Sequence, residues 1–234
     1  MDLEKLNRAL AAFEQSRFEA DLKALSMRVK KRPVVLFFGR ATFADNTKYA
    51  YLRALARQRQ YEVYWCGFDP TLLQMLAANG LPCLNLADNA DLTIDTLLHA
   101  AVALFSVNPN ESLRGSLPLN ACLDGAKKIQ LWHGVSVKHL MLELVSYLGV
   151  RDLNLRQPFE LATRADVVLS TSSRLDRFWR SAFGARRLLR AGYPRNEVLL
   201  RTADAHEMLG AEMAPDMEQA LRDGKRRNVL VVPT

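Results

Sequence analysis

Cysteine is scarce in this 234-residue chain, and the three present, Cys66, Cys83 and Cys122, stand far apart in apolar surroundings. An odd, dispersed set excludes a disulfide framework and a cysteine zinc site, and reads as buried free thiols of a reducing compartment. Long hydrophobic runs are lacking as well. The longest, Leu97 to Val107, is interrupted by His99 and falls short of the ~18 apolar residues of a membrane span. Asp2 and Glu4 precede any apolar run, which excludes a signal peptide. The chain has neither a G-x-G-x-x-G after its first strand nor a P-loop, so dinucleotide oxidoreductases and P-loop NTPases lose their best evidence. Repeats, low-complexity tracts and histidines at metal-ligand spacing are missing too. These absences leave a cytoplasmic protein that touches a membrane surface at most, with no cofactor or metal implied.

What is present is an ordinary globular composition, 49% hydrophobic and 24% charged, carrying an excess of basic residues. The net charge of +7 and the pI of about 9.5 favour anionic partners: a nucleotide, a phosphate polymer, an acidic membrane surface or nucleic acid. The arginines are spread along the chain rather than clustered with aromatics, which speaks against nucleic acid. Lys30-Lys31-Arg32 and Lys225-Arg226-Arg227 read as solvated linkers.

Residues 1–32 form a first unit, a helix over 1–30 with Leu3, Leu6, Leu10 and Phe13 on one face and Phe18, Leu22 and Leu25 continuing it. It either packs on its own domain or serves a dimer or a membrane surface. From Pro33 to residue 204, β-rich runs alternate with helical patterns. Val34–Phe38, Glu62–Cys66, Cys83–Leu86, Ala101–Val107, Lys128–Trp132, Val167–Thr171 and Arg187–Ala191 read as strands. Helical segments fall near 46–58, 70–79, 91–100, 156–164 and 173–183. This alternation predicts an α/β, Rossmann-like parallel sheet with flanking helices. The helix near 173–183 is capped by Ser172 or Ser173, buries Leu175, Phe178, Trp179, Ala182 and Phe183, and stops at Gly184. Trp179 is therefore core. A third unit, 205–234, is a helical linker and a strand that ends in Pro233-Thr234.

The stretch Gln130-Leu131-Trp132-His133-Gly134, with Lys138 close behind, is the densest in chemistry. A strand ending in a tight turn presents polar groups at the sheet edge where open α/β folds bind ligands. Histidine is a natural general base near neutral pH, though a structural histidine fits the same pattern. Asp45-Asn46 after the first strand suits a ligand turn or a helix cap equally. Arg195 and Asn196 follow the turn tract Gly192-Tyr193-Pro194 and suit a phosphate fork or a solvated turn. Asn108 to Ser112 ends a buried strand and reads as a site loop or an ordinary turn.

Three segments together resemble one family. Gln-x-Trp-His-Gly with Lys138, Asp45-Asn46-Thr47-Lys48-Tyr49, and Gly192-Tyr193-Pro194-Arg195-Asn196-Glu197 look like the motifs of the CDP-glycerol:poly(glycerophosphate) glycerophosphotransferases, which build teichoic-acid and capsule polymers. The resemblance implies the amino-terminal, acceptor-binding half of a GT-B fold, with the closing strand opening a nucleotide-binding second domain. It implies His133 as the catalytic base. Asp45, Asn46, Lys48, Tyr49, Trp132, Gly134, Lys138, Arg195 and Asn196 become substrate-binding residues, Gly134 by a sharp turn that lets backbone approach phosphate. The implied partners are a CDP-glycerol or related CDP-polyol donor and a polyol-phosphate polymer or lipid-linked acceptor, at the inner face of the membrane. A second functional histidine of the family and the donor site would lie in the second domain. A nucleotide-sugar GT-B glycosyltransferase and a non-catalytic module for anionic polymers are the alternatives; an oligomer is compatible with each.

Overall fold

The computed structural model describes residues 3–57, 60–88, 91–135, 139–149, 151, 163–211 and 215–223. Seven strands build one sheet: β1 (Arg32–Phe38), β2 (Glu62–Gly67), β3 (Cys83–Asn85), β4 (Ala100–Phe105), β5 (Lys127–Gln130), β6 (Val167–Ser170) and β7 (Arg187–Arg190). Their order is β3-β2-β1-β4-β5-β6-β7, and every neighbouring pair is parallel. The seven strands expected between Val34 and Ala191 are there, with slightly shifted ends.

Alternation along β1 decides the layering. Val34, Leu36 and Phe38 join one buried cluster with α4 (Asp91–His99) and α6 (Leu117–Cys122). Val35 and Phe37 point the other way, into a cluster formed with α2 (Asp45–Ala56) and α3 (Pro70–Ala78). Each side chain so buried contributes about 1.5–3 kcal/mol. The first cluster is sealed next to the sheet edge by Phe38 stacked on Phe105, ring centres 4.7 Å apart. Tyr51, Trp65 and Phe43 pack edge to face in the second. Gly39, which leaves β1, touches the Trp65 ring so closely that a Cβ would sit 2.6 Å from it, so no larger residue fits.

The helix α1 (Leu3–Arg28) answers the question left open by its pattern in two halves. Its carboxyl end is anchored: Ser26 is fully buried, and its hydroxyl donates to the Cys122 carbonyl at 2.6 Å and accepts from Gly125 N–H at 3.0 Å. Leu22 packs on the first cluster. Towards the amino end Leu10, Phe13 and Phe18 are exposed, so their stripe is not used by this domain.

The helix α8 (Asp176–Phe183) buries Trp179, Ala182 and Phe183 and ends at Gly184 in the left-handed conformation, φ 58°, as its pattern predicts. Ser172 caps the short 3-10 turn Ser173–Leu175 in front of it, accepting from Arg174 N–H at 3.3 Å. Sequence reading missed the short helices α5 (Pro109–Ser112) and α7 (Met141–Tyr147), as well as α6. The segment after β7 carries helical turns, and the expected linker from 205 on is helical where it is described. The segment forms a 3-10 turn over Pro194–Leu200 and then α9 (Ala205–Met208), which packs back on α2; α10 (Pro215–Arg222) follows. The expected helix near 156–164 and the closing strand 228–234 lie outside the described residues, apart from the last residues of the former. The cysteines are free thiols, Cys66 and Cys122 buried. Burial pushes the Cys122 thiol up to about 11, and Cys66 higher still, so both are inert at neutral pH.

Candidate active site

The chain runs from β1 outward to β3 and then crosses to β4 on the other flank of β1. At such a reversal the helices leave on opposite faces, and a crevice opens beyond the carboxyl ends of the strands. Here it lies between the ends of β1 and β4. The loops after β1, β4 and β5 meet there, and the segment after β7 reaches across to join them.

Asn46 ties these segments together. It is fully buried in the first turn of α2. Its amide donates to the Trp132 carbonyl at 2.6 Å, and its Oδ1 accepts from the Arg195 backbone N–H at 3.3 Å. Its neighbour Asp45, held at φ 68°, accepts from Arg195 Nη1 at 2.9 Å. The three sequence motifs, spread over most of the chain, thus meet through one amide and one ion pair. Asp45 and Asn46 are not a conventional cap: Ala44 occupies that position without a side-chain bond, and the pair is turned to the other motifs.

His133 stands half-buried at the centre. The turn that delivers it is strained at Trp132, φ 55°, and not at Gly134, whose backbone stays out of the positive-φ region. Such a φ in a bulky residue costs energy and needs support. Gln130 supplies it: its Oε1 accepts from Trp132 N–H at 2.9 Å, while its amide donates to the Val107 carbonyl at 2.8 Å. The Trp132 indole is buried against Phe183, at 5.3 Å between ring centres, and lies 4.4 Å from the His133 ring. Burial holds the His133 pKa below its usual value, and the Arg40 charge adds to this; Asp45 and Glu111 oppose it, and Arg195 depresses it further. The imidazole is accordingly neutral, and able to accept a proton, at neutral pH.

The remaining expected residues divide. Arg195 holds its guanidinium beside Gly134, where a Cβ would lie 3.6 Å from Arg195 Nη2. Asn196 is exposed, its N–H bonded to the Tyr193 carbonyl at 3.0 Å. Tyr49 is half-buried along a cavity of about 760 Å³ between α2 and the 191–207 segment. Lys48 is only 2% exposed and donates to the carbonyls of Glu207 and Leu209 at 2.6 and 2.7 Å, so its ammonium fastens the 204–211 segment to α2. Trp132 likewise serves through its carbonyl, its ring being core. Lys138 lies outside the described residues.

Sequence reading gave no role to three polar residues that shape this region. Gln130 was visible within its motif, as a lone amide at the end of an apolar run. Arg40 directly follows the first strand, and Glu111 sits in the Asn108–Ser112 loop. That loop is α5, capped by Asn108, whose Oδ1 accepts from Glu111 N–H at 3.0 Å; Glu111 pairs with Arg40 Nε at 3.1 Å.

The sequence model of the CDP-glycerol:poly(glycerophosphate) glycerophosphotransferases matches residues 21–234. The chain belongs to that family. Solved structures agree on the fold. A structure of the wall teichoic acid polymerase TagF, in a histidine-to-asparagine variant soaked with CDPG, superposes with a TM-score of 0.58 at 19% identity, over 95% of this chain and 54% of that one. A histidine-to-alanine variant of TagF gives 0.55 at 20% identity, over 94% and 54%. A further TagF structure gives 0.55 at 22% identity, over 88% and 50%. This chain therefore spans about half the length of the TagF chains it matches. No curated protein sequence matches it. Family membership and the Rossmann-like sheet, expected from three short motifs and an alternation of patterns, both stand.

Proposed function

We propose that this chain carries the acceptor side of a CDP-polyol phosphotransferase of GT-B architecture, with glycerol phosphate as the transferred group. The observation that carries the reading is the convergence of the three family motifs on His133 through Asn46 and the Asp45–Arg195 pair. In the reaction an acceptor hydroxyl attacks the glycerol-bearing phosphorus of CDP-glycerol. The new O–P bond forms as the bond to the CMP oxygen breaks; the electron pair leaves with CMP, and the hydroxyl proton passes to His133. Such transfer needs positioning and charge neutralisation more than covalent help. Asp45 and Asn46 hold Arg195, whose remaining N–H groups suit a phosphate. Gly134 keeps the space beside that guanidinium open. Tyr49, Asn196 and Lys138 complete the substrate-binding set in this reading.

The donor nucleotide would be held by a second domain of the complete protein, and work at the inner face of a membrane follows from a lipid-linked acceptor. Exposed Leu10, Phe13 and Phe18 on α1, in a chain of charge +7, support peripheral contact with an acidic surface. The test is CMP release by the complete protein from CDP-glycerol with a glycerophosphate-primed acceptor, beside CDP-ribitol and nucleotide-sugar donors. Release from a CDP-polyol supports the reading. Release from a nucleotide sugar alone replaces it with a glycosyltransferase, and salt-sensitive polymer binding without release replaces it with a binding module.

A further inference from the structure

On the other side of the switch point from His133, the loops after β1, β2 and β4 enclose a second cavity of about 300 Å³. Its polar walls are Arg40, Asp69, Glu111 and Arg114, with Gly39 and Phe68 beside them. We propose that this cavity is an acceptor subsite for a polyol phosphate repeat behind the reacting end, in which Arg40 and Arg114 hold the phosphodiester and Glu111 accepts from polyol hydroxyls. The proposal rests on the transferase reading above and names a site it does not use.

The two arginines are preset in different ways. Arg40 gives its Nε edge to Glu111 at 3.1 Å, which fixes the plane and leaves the Nη groups for a ligand. Arg114 sets its guanidinium carbon over the Phe68 ring, 4.8 Å from the centroid. The ring attracts the cation without using its N–H donors, which can still meet an anion. The loops bearing them are fastened together, since the Ser112 hydroxyl donates to the Gly39 carbonyl at 3.1 Å.

The carboxylates select the kind of anion. Asp69 is occupied as the cap of α3, accepting from Thr71 and Leu72 N–H at 2.9 and 3.5 Å. Glu111 is exposed and keeps acceptor capacity beyond its pair with Arg40. A bare polyanion offers only acceptors and would meet Glu111 with repulsion. A polyol phosphate offers a charged oxygen to the arginines and a hydroxyl donor to the carboxylate. Placement fits a repeat remote from the chemistry: Arg40 follows β1 and His133 follows β5, with β4 between them, about 10 Å at the usual strand spacing. The charges of Arg40 and Glu111 nevertheless reach His133, so cavity and crevice are adjoining parts of one edge.

The experiment compares the complete protein with its Arg40→Gln, Arg114→Gln and double variants on synthetic oligo(glycerol phosphate) acceptors of increasing length. The ratio of kcat/KM on a multi-repeat acceptor to that on a single-repeat primer should fall about tenfold in the double variant, as for loss of a charge-assisted contact. Inorganic polyphosphate should compete poorly against wild type, and better against Glu111→Gln. An unchanged length ratio, or polyphosphate competing as well as the oligomer, overturns the subsite. If no acceptor supports CMP release, the transferase reading fails separately. Calorimetric binding of the oligomer then decides: loss in the double variant upholds the cavity, and unaltered binding refutes it.

Discussion

The side-chain amide of Asn46 donates to the carbonyl of Trp132 at 2.6 Å, joining the first turn after β1 to the strained turn after β5. Both residues are buried, so no water replaces the bond. Asn46→Ala should destabilise the fold by about 1–3 kcal/mol, the usual cost of a buried polar group left unpaired, in denaturant unfolding. It should also reduce transfer more than stability alone explains, because the carbonyl it releases belongs to the residue preceding His133. Asn46→Asp sets a carboxylate against that carbonyl and should be worse on both counts.

The depressed His133 pKa gives a pH dependence with a definite sign. As a base His133 works unprotonated, so kcat/KM should rise with pH through a value below the ordinary 6.5 and lie flat across neutrality. The unfolded chain takes up this proton at higher pH than the folded one. Stability therefore declines as pH falls from about the unfolded value of 6.5 through the lowered folded value. His133→Asn should remove that limb from pH-dependent unfolding curves; a limb of unchanged size would refute the shift.

Lys48 predicts a purely structural effect. Its ammonium holds the Glu207 and Leu209 carbonyls, and Glu207 is itself buried. Lys48→Met keeps the length and removes the donors; about 1.5–3 kcal/mol should be lost, the range for a charge-assisted bond. Limited proteolysis should open first within 204–211. The same segment is sensitive to acid: the hydrogen bond from Arg201 holds the Glu207 pKa below its ordinary 4.5, so its contribution is present above 4.5 and lost as pH falls through the lowered value.

Gly39→Ala places a Cβ 2.6 Å from the Trp65 ring. The indole is fully buried and boxed by Phe43 and Tyr51, so the strain cannot relax cheaply. A loss of about 1–3 kcal/mol is expected, read as a lower midpoint in thermal unfolding; an unaltered midpoint would show that the loop after β1 shifts freely.

These residues also show where the sequence was readable. The strands were legible because runs such as Val34–Phe38 and Ala101–Phe105 are apolar, β-branched or aromatic, and separated by helical patterns. Short helices escaped because α5 and α6 span less than two turns, although Asn108 and Ser116 carry cap signals. The site was legible as residue types and not as geometry. The family resemblance makes Lys48 a substrate-binding residue, and nothing in the sequence hints that two carbonyls some 160 positions later, at Glu207 and Leu209, will enclose it. The Asp45–Arg195 pair bridges 150 positions and exists only because the segment after β7 folds back across the sheet edge. Gln130 stood in plain view, but its task depends on β5 lying beside the end of β4.

The measurement closest to the central claim is the single-turnover rate of glycerol phosphate transfer from CDP-glycerol by the complete protein and its His133→Ala variant, at saturating donor and acceptor. A positioned base contributes about 10²–10⁴-fold, so the variant should lose a factor in that range while its unfolding midpoint and acceptor affinity are retained. A rate within a few-fold of wild type would show that the proton leaves by another route, and would contradict the assignment of His133 as the base.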